Sequence, residues 1–191
     1  MTHMITRDKA LEIVNSKLTT KNLINHCLAT EASMRALAKR FNEDSDKWGL
    51  VGLMHDADWD VTRNDIDQHT HETVKWLKEA GEDDESVLQA ILSHNYKNNG
   101  ANPPQNNMEW SLYCCDELTG FIVAVALIRP EKKLELVEVK SILKRFPQKA
   151  FAAGVHREQI QLCEEKLGIK LEEFVTLTLN AMKEISPSIG L

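Results

Sequence analysis

Several things are scarce in this chain of 191 residues, and each scarcity excludes something. There is no surplus of positive charge: 23 Lys and Arg stand against 29 Asp and Glu, a formal net charge of −6. That balance argues against nucleic-acid polymers and anionic membrane surfaces as partners. The four cysteines, Cys27, Cys114, Cys115 and Cys163, form no CxxC pair, and two of them are adjacent. Neither a disulfide framework nor a thiolate zinc site is expected, and a reducing, cytoplasmic compartment fits best. Long apolar runs are missing too: the longest, Phe121–Ile128, falls well short of the roughly 20 residues that span a bilayer. The opening Met1-Thr-His-Met-Ile-Thr-Arg-Asp-Lys becomes charged too early for a signal peptide. No run alternates in hydrophobicity between hairpin turns, and no internal repeat or low-complexity tract is visible.

Helical periodicity is present almost everywhere. Helices are expected at about 6–18, 20–41, 45–54, 66–80, 84–94, 108–128, 134–146, 155–167 and 170–185, so the fold class is all-α. Thr20 and Ser45 are candidate N-caps, Gly81 and Gly168 occupy C′ positions, and Pro130 and Pro147 follow helix ends. On length, one domain is expected over residues 1–191. Two connections stand out, the acidic Asp56–Asn64 and the Asn-rich Asn95–Asn107; a loop as long as the second is often functional.

Charge is unevenly spread. Residues 43–85 hold 14 acidic and 4 basic side chains, whereas residues 129–149 hold 7 basic and 3 acidic. The first zone suits cations, and the second is placed to meet an anion.

The strongest local signal is His55-Asp56, at the end of an apolar helix. His26, His69, His94 and Asp116 fall on four other expected helices. At 100° per residue, His26 shares a face with Leu23, Met34, Leu37 and Phe41, and His94 shares one with Val87 and Ile91. His69 lies with Trp76, Leu77 and Ala80, while His71 points the other way beside Lys78. Asp116 lies a turn from Leu112 and Tyr113. Burying so many polar groups in one core is costly unless a cation satisfies them. Imidazole with carboxylate suits Fe, Mn, Zn, Ni or Co.

The order His26…His55-Asp56…Asp116 resembles the HD superfamily of metal-dependent phosphohydrolases, which are all-α. His69 and His94 are similar to the added ligands of members that bind two metals, and His69-x-x-x-Thr73-Val74-x-Trp76-Leu77 approximates their helix motif. Where HD-GYP-type members carry His-His, this chain has His94-Asn95. The segments Trp48–Asp56, Leu118–Lys133 and Phe151–Met182 resemble a subfamily of predicted HD hydrolases without an assigned substrate. The resemblance implies an HD-type helical bundle with a metal-binding core over about 20–128 and a C-terminal helical annex over about 129–191.

It further implies one or two divalent ions (Fe, Mn, Zn, Ni, Co or Mg) on His26, His55, Asp56, His69, His94 and Asp116, with Asp56 bridging. The expected reaction is hydrolysis of a small phosphorylated substrate, a nucleotide or other metabolite, by water activated on the metal. Asp56, Asp58 and Asp60 are the candidate catalytic carboxylates, the latter two orienting the nucleophile. Asn95, Arg129, Lys133 and Lys140, with Lys132, are candidate substrate contacts, and Trp59 and Tyr96 could stack on a base or sugar. Two other readings share these ligands. One is a mixed-valent di-iron oxygenase of the myo-inositol oxygenase type, built on the same scaffold, and the other is a non-catalytic ligand-binding HD module.

Overall fold

The computed structural model describes residues 3–191, and no strand occurs among them. The helices are α1 (Arg7–Lys17), α2 (Lys21–Phe41), α3 (Ser45–Met54), α4 (Trp59–Thr62), α5 (His71–Glu79), α6 (Glu85–His94), α7 (Tyr96–Asn99), α8 (Asn107–Leu127), α9 (Val139–Arg145), α10 (Arg157–Leu167), α11 (Leu171–Glu184) and α12 (Ser186–Ile189). One turn of 3₁₀ helix precedes α5 and another precedes α9. The all-α expectation is met.

Two 21-residue helices organise the molecule. α2 packs against α3, α8 and α11, and α8 packs also against α6 and α10. Their apolar faces meet in a core that includes Met34, Leu37, Leu53, Met54, Leu112, Leu118, Phe121 and Phe174, all fully buried. α8 is long and apolar enough to cross a bilayer by those two measures alone, because the eight-residue apolar run continues a longer, sparsely interrupted helix. Two thirds of its most apolar stretch is buried inside the protein.

The contact that positions the site is the crossing of α2 and α3. At Gly52 a Cβ atom would lie 2.8 Å from the Thr30 carbonyl oxygen and 2.9 Å from the Glu31 Cα. Only glycine permits that approach without moving backbone. Next to this crossing, the Glu31 carboxylate takes a forked pair of hydrogen bonds from Arg7 (2.6 and 2.9 Å), which ties α1 to α2.

Helix ends follow the expected chemistry with exceptions. Gly81 and Gly168 adopt left-handed φ values of 94° and 66°. Ser45 is not the N-cap of α3: Asp44 caps it, accepting from the backbone N–H groups of Asp46 and Lys47. Thr20 occupies the N-cap of α2 without a side-chain cap bond. The helix expected at 66–80 is broken, because Thr70 turns left-handed (φ 76°) and α5 begins only at His71. The Asn95–Asn107 connection, expected to lack structure, opens with the single turn of α7.

Candidate metal centre

Five segments deliver the polar side chains to one place. His26 comes from the second turn of α2, His55 caps the C-terminus of α3, and Asp56 follows it. His69 closes the 3₁₀ turn, His94 ends α6, and Asp116 sits mid-way along α8. Asp56 stands in the middle. Its Oδ1 lies 3.2 Å from both His69 Nε2 and His94 Nε2. Its Oδ2 lies 3.5 Å from His55 Nε2 and 3.7 Å from His26 Nε2. Asp116 Oδ1 completes the second group at 2.8 Å from His26 Nε2 and 3.6 Å from His55 Nε2. The donors thus form two groups that share Asp56, His26-His55-Asp56 and Asp56-His69-His94.

The outer ring nitrogens of three histidines are already engaged. His55 Nδ1 donates to the Gly52 carbonyl at 2.8 Å. His69 Nδ1 meets Asp58 Oδ1 at 2.8 Å. His26 Nδ1 lies 3.3 Å from Thr119 Oγ1, and that hydroxyl donates its own hydrogen to the Asp116 carbonyl, so it accepts from the imidazole. With the proton on Nδ1, the Nε2 lone pairs of all three rings face inward.

Whether a cation fits follows from what these inward atoms lack. His26 Nε2 and His55 Nε2 are 3.2 Å apart, and two lone pairs at that distance repel unless positive charge lies between them. Asp56 Oδ1, His69 Nε2 and His94 Nδ1 are buried without a hydrogen-bond partner, although the first two lie within 3.2 Å of each other. The atoms converge on common points instead of aiming N–H bonds along the lines between them. A mixed imidazole and carboxylate set of this kind suits divalent transition metals, and the residues fit them.

The protonation equilibria of the cluster are pulled in opposite directions by burial and charge. Burial pulls the His69 imidazolium down, but the carboxylates of Asp56 and Asp58 outweigh it and raise its pKa to about 9. Burial wins at His94, which is lowered to about 4 despite Asp56. Burial opposes ionisation of Asp116 as well, yet Lys97 and then His26 and His55 hold its carboxyl well below the usual range.

Access is uneven across the cluster. His55, His69 and His94 are 0%, 1% and 3% exposed in their side chains, whereas His26 and Lys97 are each 22% exposed. The mouth of the site therefore lies on the His26, Asp116 and Lys97 side.

Lys97 is the residue that sequence reasoning missed. Its Nζ lies 3.5 Å from Asp116 Oδ2 and 2.8 Å from Glu117 Oε1, and these carboxylates raise its pKa against the cost of burial. The signals were its place three residues after His94, within the loop singled out as functional, and the Asp116-Glu117 pair that receives it.

The remaining candidates take various places around the cluster. Asp58 is fully buried but spends its oxygens on His69 Nδ1 and the Thr73 backbone N–H. Asp60 accepts from the backbone and hydroxyl of Thr19, pinning the α1–α2 turn. Asn95 is buried, and its amide nitrogen donates to the Ile66 and His69 carbonyls, so it is a strut for the His69 turn. Trp59 lies against His69 with ring centroids 5.1 Å apart, and Tyr96 pairs with Tyr113. His71 is exposed, as expected, although α5 does not run back to His69.

The basic candidates do not come to the cluster. Arg129 lies 13 positions beyond Asp116, about 20 Å along the α8 direction at 1.5 Å per residue. Lys132 and Lys133 are exposed, and Lys140 pairs with Glu138 at the surface.

Residues 23–147 match the family model described as HD domain. The chain belongs to the HD-domain family. The match takes in all six converging residues and stops before α10. No curated protein and no solved structure matches the chain. Membership places this HD domain among metal-dependent hydrolases as a class, and its paired His and Asp groups are where the metals of such a domain could be held.

Proposed function

We propose that this HD-domain protein is a metal-dependent phosphohydrolase that cleaves a small phosphate ester. His26, His55, Asp56 and Asp116 would hold one divalent ion, and His69, His94 and the second oxygen of Asp56 would hold another. Ions held there would supply Lewis-acid charge for a phosphoryl group and for a nucleophilic water. The chain's own contribution is orientation and fixed charge. Gly52, Asp58 and Thr119 set the tautomers of His55, His69 and His26, so that these rings enter as neutral ligands through Nε2.

The observation that carries the reading is Lys97. It places an ammonium group at the open side of the centre, where an incoming phosphate ester arrives carrying negative charge. Glu117 holds that ammonium by hydrogen bond, so no reorganisation is needed when charge develops on the phosphoryl oxygens. Asp116 belongs to the metal group and to Lys97 at once, which sets the lysine beside the ions. Asp58 and Asp60 act on this reading as supports, the first for His69 and the second for the loop before α2.

The test uses the full chain purified without chelator. Metal content is measured first, and phosphate esters are then supplied under nitrogen with each candidate ion. Release of inorganic phosphate, lost in Lys97→Met with metal content retained, is the expected result. Turnover that requires dioxygen and iron would overturn the proposal in favour of an oxygenase. Binding of esters without turnover under any ion would overturn it in favour of a binding module.

A further inference from the structure

The basic stretch that does not reach the metal centre is built into a cavity of its own. At the C-terminal end of α8, Val125, Ile128, Arg129 and Pro130 face Ser141, Lys144, Arg145 and Gln148 of α9 and the turn after it across a cavity of about 410 Å³. Three of its lining side chains are cationic, and Glu131 is the only acid among them. In a chain of net charge −6 such a concentration stands out, and few carboxylates answer it. Arg129 Nε is buried without a hydrogen-bond partner, its nearest carboxylate being Glu131 at 3.7 Å. Neither Lys144 nor Arg145 has a carboxylate within 4 Å among the described residues; Arg145 instead lies over the Phe151 ring at 5.0 Å. The wall is apolar where Val125 and Ile128 line it, and Ser141 and Gln148 add a hydroxyl and an amide.

We propose that this cavity is a second ligand site, separate from the metal centre, which takes a small organic phosphate with the phosphoryl group against Arg129, Lys144 and Arg145. Fixed guanidinium groups with unspent donors recognise the oxygens of a phosphoryl group in the forked geometry that arginine favours. The apolar wall accepts the uncharged part of the same molecule, and the volume limits that part to a small one. The site does not depend on the chemistry proposed for the metal centre, because none of its residues touches that cluster and α8 carries the two about 20 Å apart.

The experiment is a titration of the full chain with inorganic phosphate and with glycerol phosphate, followed by backbone amide shifts and by calorimetry, with chloride at matched ionic strength as reference. Shifts are expected at residues 125–148 and are expected to persist in Asp56→Ala, which disables the metal centre. Affinity at this site should fall about tenfold in Lys144→Glu and again in Arg145→Gln, with helical content and metal content unchanged. Glycerol phosphate binding more tightly than inorganic phosphate supports a place in the cavity for the uncharged part of the molecule. Three outcomes would overturn the proposal: shifts confined to residues near His26, Lys97 and Asp116, equal shifts with chloride, or undiminished affinity in both variants.

Discussion

The two sides of Asp56 are held by different means. On the open side, His26 depends on a hydroxyl at 3.3 Å and His55 on a backbone carbonyl, and both come from helices pressed together at Gly52. On the sealed side, His69 leans on the fully buried carboxylate of Asp58, and its turn is strapped to α6 by Asn95. The open side is built by helix packing, and the sealed side by a buried polar network. A network of that kind fixes geometry firmly only while every member is satisfied.

The largest expected effect ignores the difference. Asp56→Ala removes the carboxylate common to both groups, so bound metal should fall below about a tenth of wild type on both sides. Elemental analysis checks this, and circular dichroism should show helical content retained. Next in size is Gly52→Ala, which forces a methyl group into the backbone of α2. Overpacking of this kind costs about 3 kcal/mol, so Tm should drop by roughly 6–12 °C, and metal bound on the open side should be lost first. A melt together with metal stoichiometry reads both.

A pair of conservative substitutions sharpens the contrast. On the proposed two-ion reading, Asp58→Asn leaves His69 without its carboxylate and should weaken the sealed-side ion about 10- to 100-fold, reducing the stoichiometry from two towards one in a chelator competition. Thr119→Val removes a weaker, neutral partner from a ring that water reaches, and about threefold is expected on the open side. Equal effects from the two would erase the distinction.

The smallest effect lies outside both sides, at the start of the helix that carries His94. Burial disfavours an ionised Asp84, but hydrogen bonds from Lys47 and Ser86 prevail and lower its pKa to about 2. A carboxyl depressed below its unfolded value of 3.8 stabilises the fold at pH above that value, and the contribution is lost as pH falls towards 2. The Tm difference between wild type and Asp84→Asn should therefore be constant above about pH 4 and shrink below it, without any change in metal stoichiometry at neutral pH.

Much of this was legible in the residues. Periodicity revealed α2, α5, α6, α10 and α11 because they are amphipathic, whereas α3 and α8 are apolar on most sides; the angular positions of His26 and His94 pointed inward because their helices are regular. His69 was assigned the correct direction by a helix that does not exist there. The break at Thr70 has no local signal, since a β-branched residue is a poor occupant of left-handed backbone, and tertiary ties from Asn95 impose it. Asp58 and Asp60 looked equivalent in sequence, and only the turn after α3 buries one and sends the other to Thr19. Lys97 was overlooked because charge density drew attention to residues 129–149, whereas reach from His94 is what mattered. The basic segment was right in charge and wrong in place, since a straight helix carries it away from Asp116.

Glu117 gives the last consequence. One oxygen of this carboxylate holds Lys97 and also His156 Nδ1, and the other accepts the His156 backbone N–H at the head of α10. Beyond the packing of α10 on α8, this one side chain thereby links the head of α10 to Lys97. The carboxylate that holds Lys97 is thus itself held by the head of α10, so the surroundings of the converging cluster extend beyond the matched segment.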